Sequence, residues 1–288
     1  MKIVFSRKGF DSTPEYGGVA SPIMPDGSLV SLPIPSTHRG SIRYDKLHGS
    51  HGTLGSLITD LTGGTYNGSD TAHVDPDLRA NTLANRRKGW RPIFGQAGAA
   101  QSHLAGAHIG EGDLFLFFGW FRRVEFRGGS YRYVPSAPDL HVIFGWLQVA
   151  VVLPARPSVR AQAPDWAQYH THFSNAWDGN TVYLARSRLD FSRSRHSLPG
   201  GGVFPKFRDE LRLTSPGKSR SVWQLPRCFA PTDQRSIFSY HNDVERWTLG
   251  RVFCNVQTVA KGQEFVIDAT GCRGIITWVR RLFDNMVP

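Results

Sequence analysis

The sequence predicts an α+β chain built on an antiparallel β core, with flanking helices and long loops. Three observations carry this. Two aromatic and β-branched runs, at 113–121 (DLFLFFGWF) and 140–153 (LHVIFGWLQVAVVL), flank a shorter one at 131–134. Gly128-Gly129 and Pro135-Ser136-Ala137-Pro138 separate the three, as the turns of a meander do. Helical spacing of apolar residues is confined to short stretches. The near-continuous hydrophobicity of the two long runs predicts strands covered on both faces, in a closed barrel or in a curved sheet under helices.

Taken in order, residues 2–6 predict a first strand. From Gly9 to Pro35, glycine and proline recur too often for a long helix, yet Ile23, Leu29, Val30, Leu32 and Ile34 need burial. A short strand pair turning at Asp26-Gly27 satisfies both demands. Leu54, Leu57, Ile58 and Leu61 repeat at i, i+3, i+4, i+7 and predict a short amphipathic helix that stops at Gly63-Gly64. A small helix over about 96–108 feeds the meander through Gly110-Glu111-Gly112, and within the meander Trp120 and Trp146 read as core. Short strands at Thr181–Ala185 and 264–267 alternate with Arg-rich loops, and Ile275, Ile276, Val279, Leu282 and Phe283 predict a closing helix. No repeat or low-complexity linker interrupts residues 1–288, which read as one unit with a soft boundary near 154–164.

Composition narrows the class. With 40% hydrophobic and 20% charged residues, the 288-residue chain is globular rather than disordered. No run of 18 apolar residues occurs, so no membrane helix is expected, and the N-terminal residues do not read as a signal peptide. Cys228, Cys254 and Cys272 form no C-x-x-C pair, which argues against a disulfide framework or a thiolate zinc site and for a cytoplasmic setting. The phosphate loop, the dinucleotide fingerprint and the zinc-deaminase pattern are all absent.

The charge points to a partner. The chain carries 34 Lys+Arg against 23 Asp+Glu, a formal +11. Arg186, Arg188, Arg193, Arg195, Lys206, Arg208, Arg212, Lys218, Arg220, Arg227 and Arg235 stand against Asp190, Asp209, Glu210 and Asp233, so this one stretch supplies +7 of it. Phe191, Phe204, Phe207, Trp223 and Phe229 are interleaved. Arginine suits bidentate phosphate contacts and ring faces suit bases, so the stretch predicts a nucleic-acid or nucleotide partner; a solvated basic face over core aromatics is the plainer alternative.

Several clusters carry candidate chemistry. Arg7-Lys8-Gly9-Phe10-Asp11 follows the first strand: Arg7 and Lys8 are candidate phosphate ligands, and Asp11 a candidate base or sugar-hydroxyl acceptor. His73-Val74-Asp75-Pro76-Asp77 offers an imidazole and carboxylates that an extended chain would place on one side, enough for a metal or an acid/base pair. Pro76 equally suits Asp75 as a helix N-cap, leaving His73 and Asp77 as the catalytic candidates. His170 and His172, at i and i+2, fit one strand face and could bind zinc or a phosphodiester, although no third ligand is evident; Asn180 and Tyr183 follow as readers of a base or sugar. Glu264 is a late general-base candidate, beside Gln263, and Gln96 and Gln101 sit on a helix of small residues suited to close approach of a ligand. Gly200-Gly201-Gly202 forms a loop within the basic stretch.

Two resemblances follow from these residues. Gly112 to Phe118, followed by Val142 to Val149, resembles the paired strands of PUA-like barrels, including EVE and ASCH domains, which implies binding of RNA or modified bases. Most of the chain resembles the nucleotide modification associated domain 3 family: Ser6 to Ser12, Gly17-Gly18, Ser21-Pro22-Ile23, Asp26-Gly27, Ser31 to Pro35, His73 to Leu78, Phe94-Gly95-Gln96 with Ala100-Gln101, Phe115 to Trp120 and Gly262 to Val266. That resemblance implies nucleobase or nucleotide chemistry in a phage or bacterial DNA-modification, defence or counter-defence setting. The combined expectation is a transferase or hydrolase, with phosphate held by Arg7 and Lys8, proton transfer by Asp11, His73, Asp77 or Glu264, and a groove lined by the stretch Arg186 to Arg235, with Arg186, Arg188, Arg193 and Arg195 among its nucleic-acid contacts. The alternative is a non-catalytic PUA-like reader of modified bases. The metal, cofactor, substrate base and oligomeric state stay open.

Overall fold

Parallel pairing of the first strand with the first long apolar run organises the chain. In the computed structural model, which describes residues 1–49, 51–190, 198–232, 236–259, 264–284 and 286, the main sheet contains β1 (Lys2–Arg7), β2 (Ser21–Ile23), β3 (Ile93–Gln96), β4 (Leu114–Arg127), β5 (Ser130–Tyr133), β6 (Leu140–Pro154), β7 (Thr181–Ala185) and β8 (Gly201–Val203). A second, three-stranded sheet is made of β9 (Val222–Pro226), β10 (Trp247–Leu249) and β11 (Phe253–Gln257), and β12 (Glu264–Asp268) then returns to the main sheet. The order is β12-β1-β4-β6-β7-β3, with β2 and β5 on β4 and β8 on β6.

This is a mixed α/β architecture with a large mixed sheet and few helices. The meander β4-β5-β6 is antiparallel as its turns imply, but β1 and β2 both run parallel to β4. The reason lies in the connection: the chain leaves β1 and passes through long loops and two helices before β4, and parallel strands require such a crossover. Among the described residues no sheet closes, so the expected closed barrel does not form; β4 and β6 are instead buried within a broad open sheet.

Local sequence explains the elements. Ile3, Val4 and Phe5 of β1 are fully buried: β4 and β12 pair with its two edges, and on its face Phe5 packs against Trp223, Phe229, Phe238 and Trp278. The Met24 N–H donates to the Ser28 carbonyl at 2.9 Å across Asp26-Gly27, and Ile23 bridges Leu29 as the short pair requires. Helix α1 (Leu54–Leu61) buries Leu54, Leu57, Ile58 and Leu61 against Phe10, Met24 and Leu32. Helix α2 (Gly98–Gly106) is shorter than its expected span, and α3 (Arg273–Phe283) buries Ile275, Val279, Leu282 and Phe283. Trp146 is core, whereas Trp120 is half-buried, donating to Asp139 at 2.8 Å beneath the Arg220 guanidinium. Among the described residues no helix is long and apolar enough to cross a membrane.

Two placements differ from the sequence expectation. Phe204, Trp223 and Phe229 of the basic stretch are fully buried core residues, because β9 and α3 pack over the main sheet there; they present no ring face to a base. Asp75 caps no helix: the chain stays extended, and Asp77 bridges Ile93 of β3. That bridge brings residues 73–77 alongside β3.

Candidate functional site

Three strand ends meet at one end of the sheet. The first residue of β12, Glu264, lies opposite Ser6 of β1, and Gln96 ends β3 nearby. Glu264 is only 1% exposed, although a lone glutamate at a strand edge is ordinarily solvated. Its Oε1 accepts from Ser6 Oγ at 3.1 Å, Lys8 Nζ at 3.0 Å and Gln96 Nε2 at 2.5 Å. Its Oε2 is buried with no hydrogen-bond partner. The Lys8 ammonium also rests 4.7 Å from the centre of the Phe94 ring. A buried carboxylate is thus compensated by one cation and two neutral donors, as burial of a charge demands.

Beside it lies a cluster that neither of its sequence segments announces alone. His73, Asp75 and His172 each offer a ligand atom, all within 4.8 Å of one another. The Gly95 N–H donates to Asp75 Oδ1 at 2.7 Å, which leaves Oδ2 facing His172 Nε2 at 3.8 Å. Asn180 Nδ2 donates to the carbonyls of His172 and Asn175 at 2.8 and 2.9 Å, so its Oδ1 is left to accept from His172 Nδ1. With the proton on Nδ1, the Nε2 lone pair of His172 is turned toward the carboxylate. His73 Nε2 is buried and unpartnered. His170 stacks on His172 with ring centres 5.4 Å apart, and its Nε2 lies 3.3 Å from Asp75 Oδ1 without the alignment of a hydrogen bond. A Cβ at Gly95 would lie 2.2 Å from His172 Cδ2, so glycine is what lets the ring sit against β3.

Burial disfavours protonated imidazoles here and lowers His73 to about 4 and His172 to about 3, although Asp75 pulls both upward. Burial would raise the Asp75 carboxyl, but the surrounding His170, His172 and His73 rings carry it below the ordinary carboxylate range. At neutral pH the cluster is a carboxylate among neutral imidazoles.

A cleft of about 650 Å³ joins this cluster to the end of β1; Arg7, Lys8, Asp11, His73, Asp75, Gln96, His172 and Trp177 all line it. Arg7 Nη2 lies 3.3 Å from Asp11 Oδ2, and Ser12 donates to Asp11 Oδ1 through its N–H at 2.6 Å. Burial raises the Asp11 carboxyl, but Arg7, Ser12 and Arg220 together outweigh it and hold it below the ordinary range. Trp177 is edged by His38, His73 and His172, with centroids 5.1, 5.6 and 4.9 Å away.

Other candidates lie elsewhere. Asp77 is 1% exposed and both its oxygens are committed, to Arg86 Nη2 at 2.6 Å and Tyr169 Oη at 2.5 Å; an alternating chain does not place it with His73, because it faces Arg86. Residues 170–172 run into a 3-10 turn, Thr171–Ser174, rather than a strand, which separates the roles of His170 and His172. Tyr183 is core: its hydroxyl donates to Gln101 Oε1 at 3.0 Å, its ring stacks on Phe94, and burial lifts its hydroxyl to about 12. Arg186 pairs with Glu111 at 2.9 Å and with Asp190, away from the cleft, and Arg188 is exposed. Arg193, Arg195, Arg235 and Gln263 lie outside the described residues. Of the basic stretch, Arg220 reaches the β1 end, donating to Ser12 Oγ at 3.1 Å. Asp75, Trp177, His38 and Gly95 were not singled out by sequence as site residues; the H-x-D spacing at 73–75 was the available signal.

A family model described as nucleotide modification associated domain 3 matches residues 2–268. The searches of curated proteins and of solved structures found no match. Of the blocks that carried the resemblance, Ser6 to Ser12, Ser31 to Pro35, His73 to Leu78 and Phe94 to Gln96 contribute residues to the cleft, and the matched span covers nearly the whole chain. The chain belongs to the nucleotide modification associated domain 3 family.

Proposed function

We propose that the chain is an enzyme that modifies a nucleotide or nucleobase, a transferase or hydrolase working in the cleft between Arg7 and the His73–Asp75–His172 cluster. One observation carries this reading: a cationic strand end and buried, unsatisfied polar atoms share a cleft of nucleotide-compatible volume, about 650 Å³. Arg7 spends one amino group on Asp11 and keeps further donors for a phosphate. Lys8 lines the cleft wall and, bound to Glu264, holds that carboxylate in place. Asp11, ionised at neutral pH, is suited to accept a proton from a substrate hydroxyl. Arg220 beside Ser12, with Arg186 and Arg188 further off, would hold a polynucleotide backbone, and DNA modification in phage or bacteria would be the setting.

A non-catalytic reader of modified bases is favoured by a different feature, the ring box that His38, His73 and His172 make around Trp177. Nucleoside mass spectrometry separates the two. DNA and RNA are incubated with the full chain, nucleotide cofactors and divalent metals, beside Asp11→Asn. A nucleoside gained or lost with the wild type and unchanged with the variant supports the enzyme. Unchanged nucleosides with tight, salt-dependent binding would make the protein a reader. Asp11→Asn is expected to keep its thermal stability, because the partly exposed Arg7–Asp11 pair contributes about 1 kcal/mol at most.

A further inference from the structure

The geometry points to a divalent transition-metal site formed by His73, Asp75 and His172, and we propose that the chain binds one such ion there, open to the cleft. This deepens the enzymatic reading, but it stands on its own observations.

Consider what each group lacks. Asp75 Oδ1 is occupied by the Gly95 N–H, whereas Oδ2 faces the His172 Nε2 lone pair at 3.8 Å, acceptor against acceptor, with no donor between them. His73 Nε2, buried in the same cluster, has no partner either. Two acceptors set face to face, with an unpartnered imidazole nitrogen beside them, make an arrangement that a cation satisfies. Two ligand atoms each about 2.1 Å from one tetrahedral ion stand about 3.4 Å apart. The His172–Asp75 pair, at 3.8 Å, is close to that separation, and the rest of the cluster, spread over no more than 4.8 Å, closes on an ion by a shift of up to about 1.4 Å.

The surroundings match what metal ligands need. Asn180 fixes the His172 tautomer, Gly95 fixes Asp75, and both supports are themselves held by backbone. Imidazole nitrogen with a single carboxylate suits Fe(II), Mn(II), Co(II) or Zn(II) rather than Ca(II) or Mg(II), which prefer all-oxygen shells. Three protein ligands leave coordination positions free, and all three residues line the cleft, so a water or a substrate oxygen has access to the ion.

The test is a titration of the full chain, stripped with chelator, with Co(II), read by its visible d–d absorption and by calorimetry. Saturation at one ion per chain, with a rise in melting temperature, is the expected result. His172→Ala and Asp75→Asn should abolish the bands. Asn180→Ala, which keeps all three ligands, should weaken affinity about 10–100-fold. Asp11→Asn should bind Co(II) like the wild type even where it loses nucleoside chemistry, so the metal site and the proposed activity fail separately. No saturable uptake by the folded wild-type chain would overturn the site, and so would binding undiminished in folded His172→Ala.

Discussion

Asn180 decides which nitrogen of His172 faces the cleft. Its amide donates to the His172 and Asn175 carbonyls, so its oxygen accepts from His172 Nδ1 and leaves Nε2 directed at Asp75. The two residues are only eight positions apart, yet Asn180 sits just before β7 and His172 lies in a turn. The pair ties the reactive turn to the rigid sheet.

Loss of that tie should be measurable apart from ligand binding. Asn180→Ala leaves buried carbonyls and His172 Nδ1 without partners, and unsatisfied buried groups cost about 1–3 kcal/mol each. A lower melting temperature in the metal-free protein is the expected outcome; an unchanged one would mean that water replaces the amide.

Gly95→Ala tests the packing of the cluster. The added methyl would lie 2.2 Å from the His172 ring, which cannot move without leaving Asp75 or Asn180. Overpacking of this kind costs about 1–3 kcal/mol. Strand β3 pairs with β7 through backbone bonds that the methyl does not touch, so the variant should fold, with disturbed His172 imidazole resonances in an NMR spectrum.

The Lys8–Glu264 pair should behave as a unit. Glu264→Gln strands a largely buried ammonium, and breaking a buried pair costs about 3–5 kcal/mol. Lys8→Met with Glu264→Gln removes both charges and should be less destabilised than the sum of the single changes. Denaturant unfolding of the four proteins measures the coupling, and strict additivity would show the pair to be unimportant.

Acid sensitivity should come in part from His141, away from the cleft cluster. Trp223 Nε1 donates to its Nδ1 at 2.9 Å, and burial, helped by Arg220 and Arg7 against Asp11, lowers the imidazole from 6.5 to about 3. The unfolded chain therefore takes up a proton that the folded chain refuses. Stability supplied by neutral His141 is full above about pH 6.5 and falls as the pH drops toward about 3, by about 1.4 kcal/mol per pH unit. His141→Gln, which keeps an acceptor for Trp223, should show a shallower loss of stability over this window; equal slopes would remove His141 as the cause.

Much of this architecture is legible along the chain. The aromatic runs became β4 and β6, the i, i+3, i+4, i+7 leucines became α1, and residues 181–185 became β7, because each pattern fixes its own backbone and buried face. Parallel pairing of β1 with β4 was not legible, since it depends on where a long connection returns and not on either strand's composition. The basic stretch misled for a similar reason: alternation of arginine with phenylalanine says nothing about whether the rings face in, and Phe204, Trp223 and Phe229 do.

The sequence by itself determined that this is a globular, basic chain with a β core, and it offered the Arg7-to-Asp11 strand end, the 73–77 segment and His172 as candidates. Only the tertiary structure decided that Asp75 rather than Asp77 joins the histidines, and that Glu264 is buried against Lys8 and Gln96. The physical reason is that local pattern specifies which groups a segment offers, whereas their partners come from segments far apart in the chain. Burial and partner together set whether a carboxylate becomes an ion-pair member, like Asp77 on Arg86, or an open ligand, like Asp75.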